Sequence, residues 1–257
     1  MKQTVPQNLR DFFKEHNKIA LAFSGGVDSA YLLYAALESG ACLTAYYAQT
    51  EFQPEFERQD ARRLAQQLNA RLRIVPLEAL QDARVAENGP QRCYFCKQNL
   101  FSALIRAAQA DGFSEIMDGT NASDDAQDRP GMQALREMRV LSPLRECGLS
   151  KGAIREYSKA AGLFTFDKPA YACLATRVPT GTPIDRQTLQ RVERAEQALA
   201  QLGFSDFRAR VRGELALIQL PGEQMSRALD HRDAILRALK MDFSQVALDL
   251  ADRPGEH

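Results

Sequence analysis

Ser24-Gly25-Gly26-Val27-Asp28-Ser29 decides how the rest of this 257-residue chain is read. An apolar run, Ile19-Ala20-Leu21-Ala22-Phe23, leads into it. Ala30-Tyr31-Leu32-Leu33-Tyr34-Ala35-Ala36-Leu37 follows, with the pattern of a buried helix. A strand, a glycine turn and a helix start bring backbone N–H groups together at the positive end of a helix dipole, which suits an anion. The glycines let the backbone close on a phosphate, and Ser24 and Ser29 add hydroxyl donors. Asp28 would repel that anion unless a divalent cation bridges the two.

No Gly-Lys-Ser/Thr follows, so the stretch is not a Walker A loop, and it lacks the G-x-G-x-x-G fingerprint of dinucleotide sites. It resembles the PP-loop of ATP pyrophosphatases. That resemblance implies binding of ATP with Mg2+, attack on the α-phosphate and release of pyrophosphate.

Outward from the loop, apolar runs alternate with helical patterns. Strands are expected at 18–23, 41–48, 71–77, 115–119 and 140–143, and helices at 29–39, 54–68, 98–111 and 151–161. The alternation predicts an α/β fold with a doubly wound parallel sheet. Ligands in such sheets sit at the carboxyl ends of strands. The loop after Phe23 and the loop after Gly119 are therefore expected on one edge. Pro179-Thr180-Gly181-Thr182-Pro183 is rich in turn residues, which sets a boundary between a nucleotide-binding domain, 1–179, and a small α+β domain, 180–257. In the latter, Leu189, Val192, Ala195, Leu199 and Leu202 trace a helical stripe. Strands are expected at 207–212, 215–220 and 246–250, with a helix at 223–239.

Hydrophobic residues make up 45% of the chain, enough for a sizeable core, and Lys+Arg and Asp+Glu both number 33. Zero formal net charge argues against a nucleic-acid surface, which carries a basic excess. No apolar stretch is long enough for a membrane span, and the N-terminus has no signal-peptide core. A cytoplasmic location is expected. Five cysteines in that setting point to metal binding or catalysis before disulfides.

Cys93 and Cys96 form a C-x-x-C in Gln91-Arg92-Cys93-Tyr94-Phe95-Cys96-Lys97, and Cys173 lies in Ala172-Cys173-Leu174-Ala175-Thr176-Arg177. The pair suits zinc, an iron–sulfur cluster or a redox dithiol. Three thiolates are one short of a closed metal site, and an incomplete set leaves a position open to an exogenous ligand. Cys42 and Cys147 match no ligand spacing and read as structural.

In shared order, Ser24–Ser29, Arg92–Lys97, Asp118-Gly119-Thr120-Asn121-Ala122, Arg129-Pro130-Gly131, Ser142-Pro143-Leu144 and Ala172-Cys173-Leu174-Ala175 resemble the LarE family of ATP-dependent sulfur transferases. The resemblance spans nearly the whole chain. It implies conversion of the carboxylates of a pyridinium-3,5-dicarboxylate mononucleotide into thiocarboxylates, a step towards a nickel-pincer cofactor. ATP would be held by Ser24, Gly25, Gly26, Asp28, Ser29, Gly119, Thr120 and Asn121, with Mg2+ at Asp28. Mg-ATP would adenylylate the carboxylate, making AMP a leaving group for a sulfur nucleophile, and the loop and metal would stabilise phosphate charge. Cys173 stands at the family's sulfur donor. Cys93 and Cys96, which single-cysteine relatives lack, place the chain with three-cysteine members thought to hold a [4Fe–4S] cluster, with sulfide or another donor as sulfur source. The family's two acids after Gly-Thr-Asn-x become Ser123, Asp124 and Asp125, which leaves the second metal-holding acid open. The resemblance also implies a homo-oligomer, a hexamer.

Arg208, Arg210 and Arg212 alternate along one expected strand and so share a face. Arg210 and Arg212 match the family's basic pair and are expected to hold substrate phosphate, to which guanidinium geometry is suited. Glu193 and Glu196, three apart on the preceding helix, read as surface charges. Other readings stay open. A tRNA-thiolating enzyme can also combine this loop with three cysteines. An ammonia-using amidotransferase or NAD-synthetase-like enzyme would not need them, and a metal- or nucleotide-sensing module would leave the loop's chemistry unused.

Overall fold

The structure, a computed structural model, describes residues 4–124 and 130–253. The elements in chain order are α1 (Gln7–Glu15), β1 (Lys18–Ala22), α2 (Val27–Glu38), β2 (Cys42–Gln49), α3 (Glu55–Gln67), β3 (Leu72–Pro76), α4 (Ala83–Ala86), α5 (Arg92–Ala110), β4 (Ile116–Met117), α6 (Pro130–Glu137), α7 (Pro143–Glu146), α8 (Lys151–Ala160), α9 (Arg186–Gln201), β5 (Arg208–Arg212), β6 (Leu215–Gln219), α10 (Met225–Asp230), α11 (Arg232–Leu239) and β7 (Gln245–Leu248). Packing divides them into two units. One holds the residues up to Ala79 and Cys93–Lys168. The other holds Leu80–Arg92 and the chain from Pro169 onward.

The first unit is built on β1. Its side chains alternate between faces, as a strand's must. Ile19 and Leu21 pack with α1, α2 and the Ala61 and Leu64 side of α3, while Ala20 joins Phe101, Leu104 and Ala108 of α5 and Met132 and Leu135 of α6. Both faces are covered, so the sheet can be parallel throughout. Its order is β3-β2-β1-β4, with β1 parallel to β2 and β4 and β2 parallel to β3. This is the doubly wound α/β fold expected from the sequence. In α2, Tyr31, Leu32 and Leu33 are fully buried. Each such side chain contributes about 1.5–3 kcal/mol, so packing rather than amphipathic patterning fixes this helix.

Two expectations differ from the structure here. Among the described residues, 140–143 contributes only a single bridge, Leu141 to Met117, and no strand; Pro143 begins α7 instead, because proline suits a first helical turn and cannot donate to a ladder. The helix expected from residue 98 begins at Arg92. Both cysteines of the C-x-x-C are therefore helical.

In the second unit, β5 and β6 are antiparallel, while β7 joins β6 in parallel. Leu189, Val192, Ala195 and Leu199 of α9 are buried, as their stripe predicts. The single helix expected over 223–239 is broken at His231 into α10 and α11. Residues 80–92 join this unit through Asn88, whose φ is +57°. Its Nδ2 donates to the carbonyls of Pro179 and Thr182, both at 2.9 Å, and its own carbonyl accepts from Gly181 N at 2.9 Å. The expected boundary at 179/180 thus falls inside a stitched turn, and the unit's second segment begins at Pro169.

Candidate active site

The strand order reverses between β1 and β4, which is where an open α/β sheet leaves a crevice for ligand. A cavity of about 320 Å³ lies there. The loop after β1 lines it with Phe23, Ser24, Gly26, Asp28 and Ser29, and the loop after β4 lines it with Asp118, Gly119 and Thr120. Both expected loops therefore meet on one edge. Among the described residues Gly25 and Asn121 do not line the cavity. Gly25, at φ +76°, makes the turn, and a Cβ there would meet Ala61 at 3.2–3.3 Å. Asn121 is buried, and its Oδ1 accepts from Ser123 N at 2.8 Å, which shapes the second loop.

Hydroxyl groups knit the glycine loop. Ser24 Oγ accepts from Gly26 N at 3.3 Å and lies 3.0 Å from Ser29 Oγ, which donates to Gly26 O at 3.2 Å. Gly119 closes the far wall. A Cβ there would sit 2.9 Å from Ser29 N, so any side chain would push the β4 loop off the start of α2. Asp118 is held by Thr120 and Ser142. Its Oδ2 accepts from Thr120 Oγ1 at 2.5 Å, and its Oδ1 accepts from Ser142 Oγ at 2.8 Å and Thr120 N at 3.2 Å. A carboxylate with its lone pairs so engaged is a wall of the site, with little left for a metal.

Asp28 differs. Its Oδ2 accepts from Lys151 Nζ at 2.6 Å, but Oδ1 is buried with no hydrogen-bond partner among the described residues. Burial pushes its carboxyl above the ordinary carboxylate range, although Lys151 pulls the other way. A buried, unpartnered carboxylate oxygen at a phosphate loop is what a divalent cation would satisfy. The residues thus fit Mg2+ with ATP. Of the two acids left open by the sequence, Asp124 lines the cavity and its charge is felt by Asp28. Asp125 and Arg129 lie outside the described residues.

Lys97 was not singled out from the sequence. It lines the cavity from α5, and its stem lies against Gly131, where a Cβ would come within 3.0 Å of Lys97 Cδ. Burial lowers its pKa, while Asp118, Cys93, Asp124 and Cys96 favour its charge. One cation therefore answers both the acids of the cavity and the cysteine pair. Its signal was its place directly after Cys96, which matters only once the segment is helical.

Cys93 and Cys96 sit three apart at the start of α5, so they share a face. Cys93 is exposed, and Cys96 and Cys173 are half-buried. By donor chemistry and spacing the pair fits two ligands of one metal cluster. Cys173 belongs to the other unit, where it precedes the short turn Leu174–Arg177. Among the described residues no three His, Cys, Asp or Glu side chains converge on one metal position.

In the second unit the arginines separate. Arg208 is buried, with its guanidinium over the Tyr171 ring at 5.5 Å. Arg210 is half-buried and donates to Thr176 O at 2.9 Å, and Arg212 is exposed. Burial, together with the charges of Arg177, Arg253 and Arg212, lowers the pKa of Arg210. Glu196 corrects the sequence reading. It is 4% exposed rather than a surface charge, because Arg177, itself 1% exposed, binds it at 2.7 and 3.1 Å. Breaking such a pair from one side costs about 3–5 kcal/mol.

No family model matches the chain. It is 36% identical to an uncharacterized protein of Synechocystis sp. over 97% of this chain and 95% of that one. It is 31% identical to the pyridinium-3,5-bisthiocarboxylic acid mononucleotide synthase of Lactiplantibacillus plantarum, over 92% of this chain and 87% of the other. A tRNA-specific 2-thiouridylase of Clostridium botulinum is 25% identical, over 58% of this chain and 52% of its own. Among the described residues no helix is long and apolar enough to cross a membrane. A phosphate loop after β1, a cavity walled by the loop after β4, and likeness along almost the full chain lead to one assignment: the chain belongs to the pyridinium-3,5-bisthiocarboxylic acid mononucleotide synthase (LarE) family of PP-loop sulfur transferases.

Proposed function

We propose that this protein uses Mg-ATP to convert carboxylates of a pyridinium-3,5-dicarboxylate mononucleotide into thiocarboxylates, in the cytoplasm. The observation that carries the reading is the buried Asp28 Oδ1 in the loop cavity, which no described residue satisfies, taken with the family assignment. Asp28, with Asp124 as second acid, would hold Mg2+, and the backbone of Ser24–Ser29 would hold phosphate. When bound, the metal neutralises charge on the phosphates. Lys97 supplies a further positive charge beside the same cavity. A substrate carboxylate oxygen attacks the α-phosphorus and pyrophosphate leaves. A sulfur nucleophile then attacks the acyl carbon, and AMP leaves with the carboxylate oxygen that formed the mixed anhydride.

Cys173 stands at the position of the family's sulfur donor. Cys93, Cys96 and Cys173 would together hold a [4Fe–4S] cluster, which when bound offers an iron open to exogenous sulfide. Arg210 and Arg212 would hold the substrate's phosphate.

The test compares two acceptors at equal ATP. The wild-type protein should thiolate the pyridinium nucleotide and leave tRNA unmodified. By calorimetry, Arg210→Ala with Arg212→Ala should weaken nucleotide binding about tenfold or more, the loss typical of charge-assisted phosphate contacts, with ATP affinity unchanged. Thiolation of tRNA instead, or equal loss for both ligands, would overturn the reading.

A further inference from the structure

Residues 170–173 form neither helix nor strand, so their carbonyls have no ladder partners. Arginines supply the donors. Arg208 Nη2 donates to Ala170 O at 3.3 Å, and Arg177 Nη1 donates to Ala172 O at 2.8 Å and to Cys173 O at 3.4 Å. Arg92 Nη1 donates to Ala175 O at 3.0 Å, and Arg210 Nη1 donates to Thr176 O. Thr176 completes the hold. Its N and Oγ1 donate to Cys173 O at 3.0 and 2.8 Å, and the same Oγ1 accepts from Arg177 Nη1 at 2.8 Å.

Arg177 is fixed in turn. Glu196 accepts from it with both oxygens, and also accepts from Ala209 N at 3.0 Å and from the Tyr171 hydroxyl. The Tyr171 ring lies 4.6 Å from the Arg177 guanidinium. The carboxylate therefore has every lone-pair direction engaged. A pair serving only to hold α9 against β5 would need no contact with the 172–173 carbonyls. Here the guanidinium turns its remaining edge onto the peptide of Cys173. With that carbonyl held from three donors, χ1 is the main freedom left to the thiol.

Resting on the reading of Cys173 as a residue required for sulfur transfer, we infer that Arg177, Glu196 and Thr176 are positioning residues that preset the direction of the Cys173 sulfur, the same sulfur that would ligate the cluster. The gain is one of orientation, since a misplaced reacting atom loses rate without losing binding.

Thr176→Val removes the bridging hydroxyl without stranding a buried charge, Thr176→Ser restores it, and Arg177→Lys keeps the charge but loses the bidentate grip. ATP–pyrophosphate exchange and thiocarboxylate formation are measured on each. Alkylation of Cys173 by iodoacetamide is followed by mass spectrometry of its peptide, on protein prepared without iron so that no cluster covers the sulfur. Thr176→Val should lower sulfur transfer about tenfold and shift the alkylation rate, with exchange within about twofold of wild type and Thr176→Ser near wild type. Folded Arg177→Lys should lose more. Wild-type transfer in Thr176→Val, or exchange falling in step with transfer, would overturn the proposal. Cys173→Ala runs alongside. If it transfers sulfur normally, the reading of Cys173 fails; if it is dead while Thr176→Val is normal, only the positioning role fails.

Discussion

Asp28→Ala is expected to cut pyrophosphate release by about 100-fold or more, the loss that follows when a charge-neutralising metal worth about 3 kcal/mol is no longer held. The fold should survive. Burial disfavours the Asp28 carboxylate, and among the described residues Oδ1 has no partner to lose. Lys151 keeps partial access to water, with a quarter of its side chain exposed, so its charge is not stranded. The melting temperature of the variant should therefore match or exceed that of wild type. This is the sign of a group kept for function at the expense of stability. A wild-type rate of pyrophosphate release would remove Asp28 from the site. A collapse of the melting temperature would make it a structural residue.

Cys173→Ala should reduce sulfur transfer to background and leave ATP–pyrophosphate exchange intact, because exchange reports adenylylation of the carboxylate and is complete before sulfur arrives. The fate of the wild-type residue then separates two sources of sulfur. Protein made without oxygen should carry about four irons per chain, as a [4Fe–4S] centre requires, and substitution of Cys93, Cys96 or Cys173 should each remove that signal. After turnover with excess sulfide, Cys173 should still be a cysteine by mass. If iron is absent and Cys173 loses the elements of hydrogen sulfide once per sulfur delivered, the cluster is wrong and the chain sacrifices its own cysteine. Cys93 and Cys96, three apart on α5, supply two of the thiolates the first outcome requires, while among the described residues no third ligand converges on them.

The parts legible in the sequence are those that short-range patterns encode. The glycine loop sits between an apolar strand and an apolar helix, and its neighbours follow in βα alternation, so the sheet and its crevice could be placed. The stripe Leu189, Val192, Ala195 and Leu199 declared a helix by its spacing. What escaped depends on partners distant in the chain. Glu196 reads as a solvated charge until Arg177, nineteen residues earlier, is placed against it. Residues 80–92 read as part of the first unit until Asn88 is seen to bind carbonyls near 180. The start of α5 was missed because Cys-Tyr-Phe-Cys is a poor intrinsic helix former, and tertiary context overrides such weak preferences. Without that helix, Lys97 had no reason to face the cavity. Gly119 needed the structure as well. Its lack of a side chain matters because Ser29 N would lie 2.9 Å from a Cβ, a contact that no local pattern announces.

On this mechanism the substrate's carboxylate is activated by transfer of AMP before sulfur arrives. That order is tested most directly with a pyridinium dicarboxylate nucleotide whose carboxylates carry 18O. If the carboxylate oxygen attacks the α-phosphorus and leaves with AMP, each thiocarboxylate formed should release one AMP bearing one 18O, together with one pyrophosphate. Thiocarboxylate accompanied by unlabelled AMP, or by ADP and phosphate, would contradict the account.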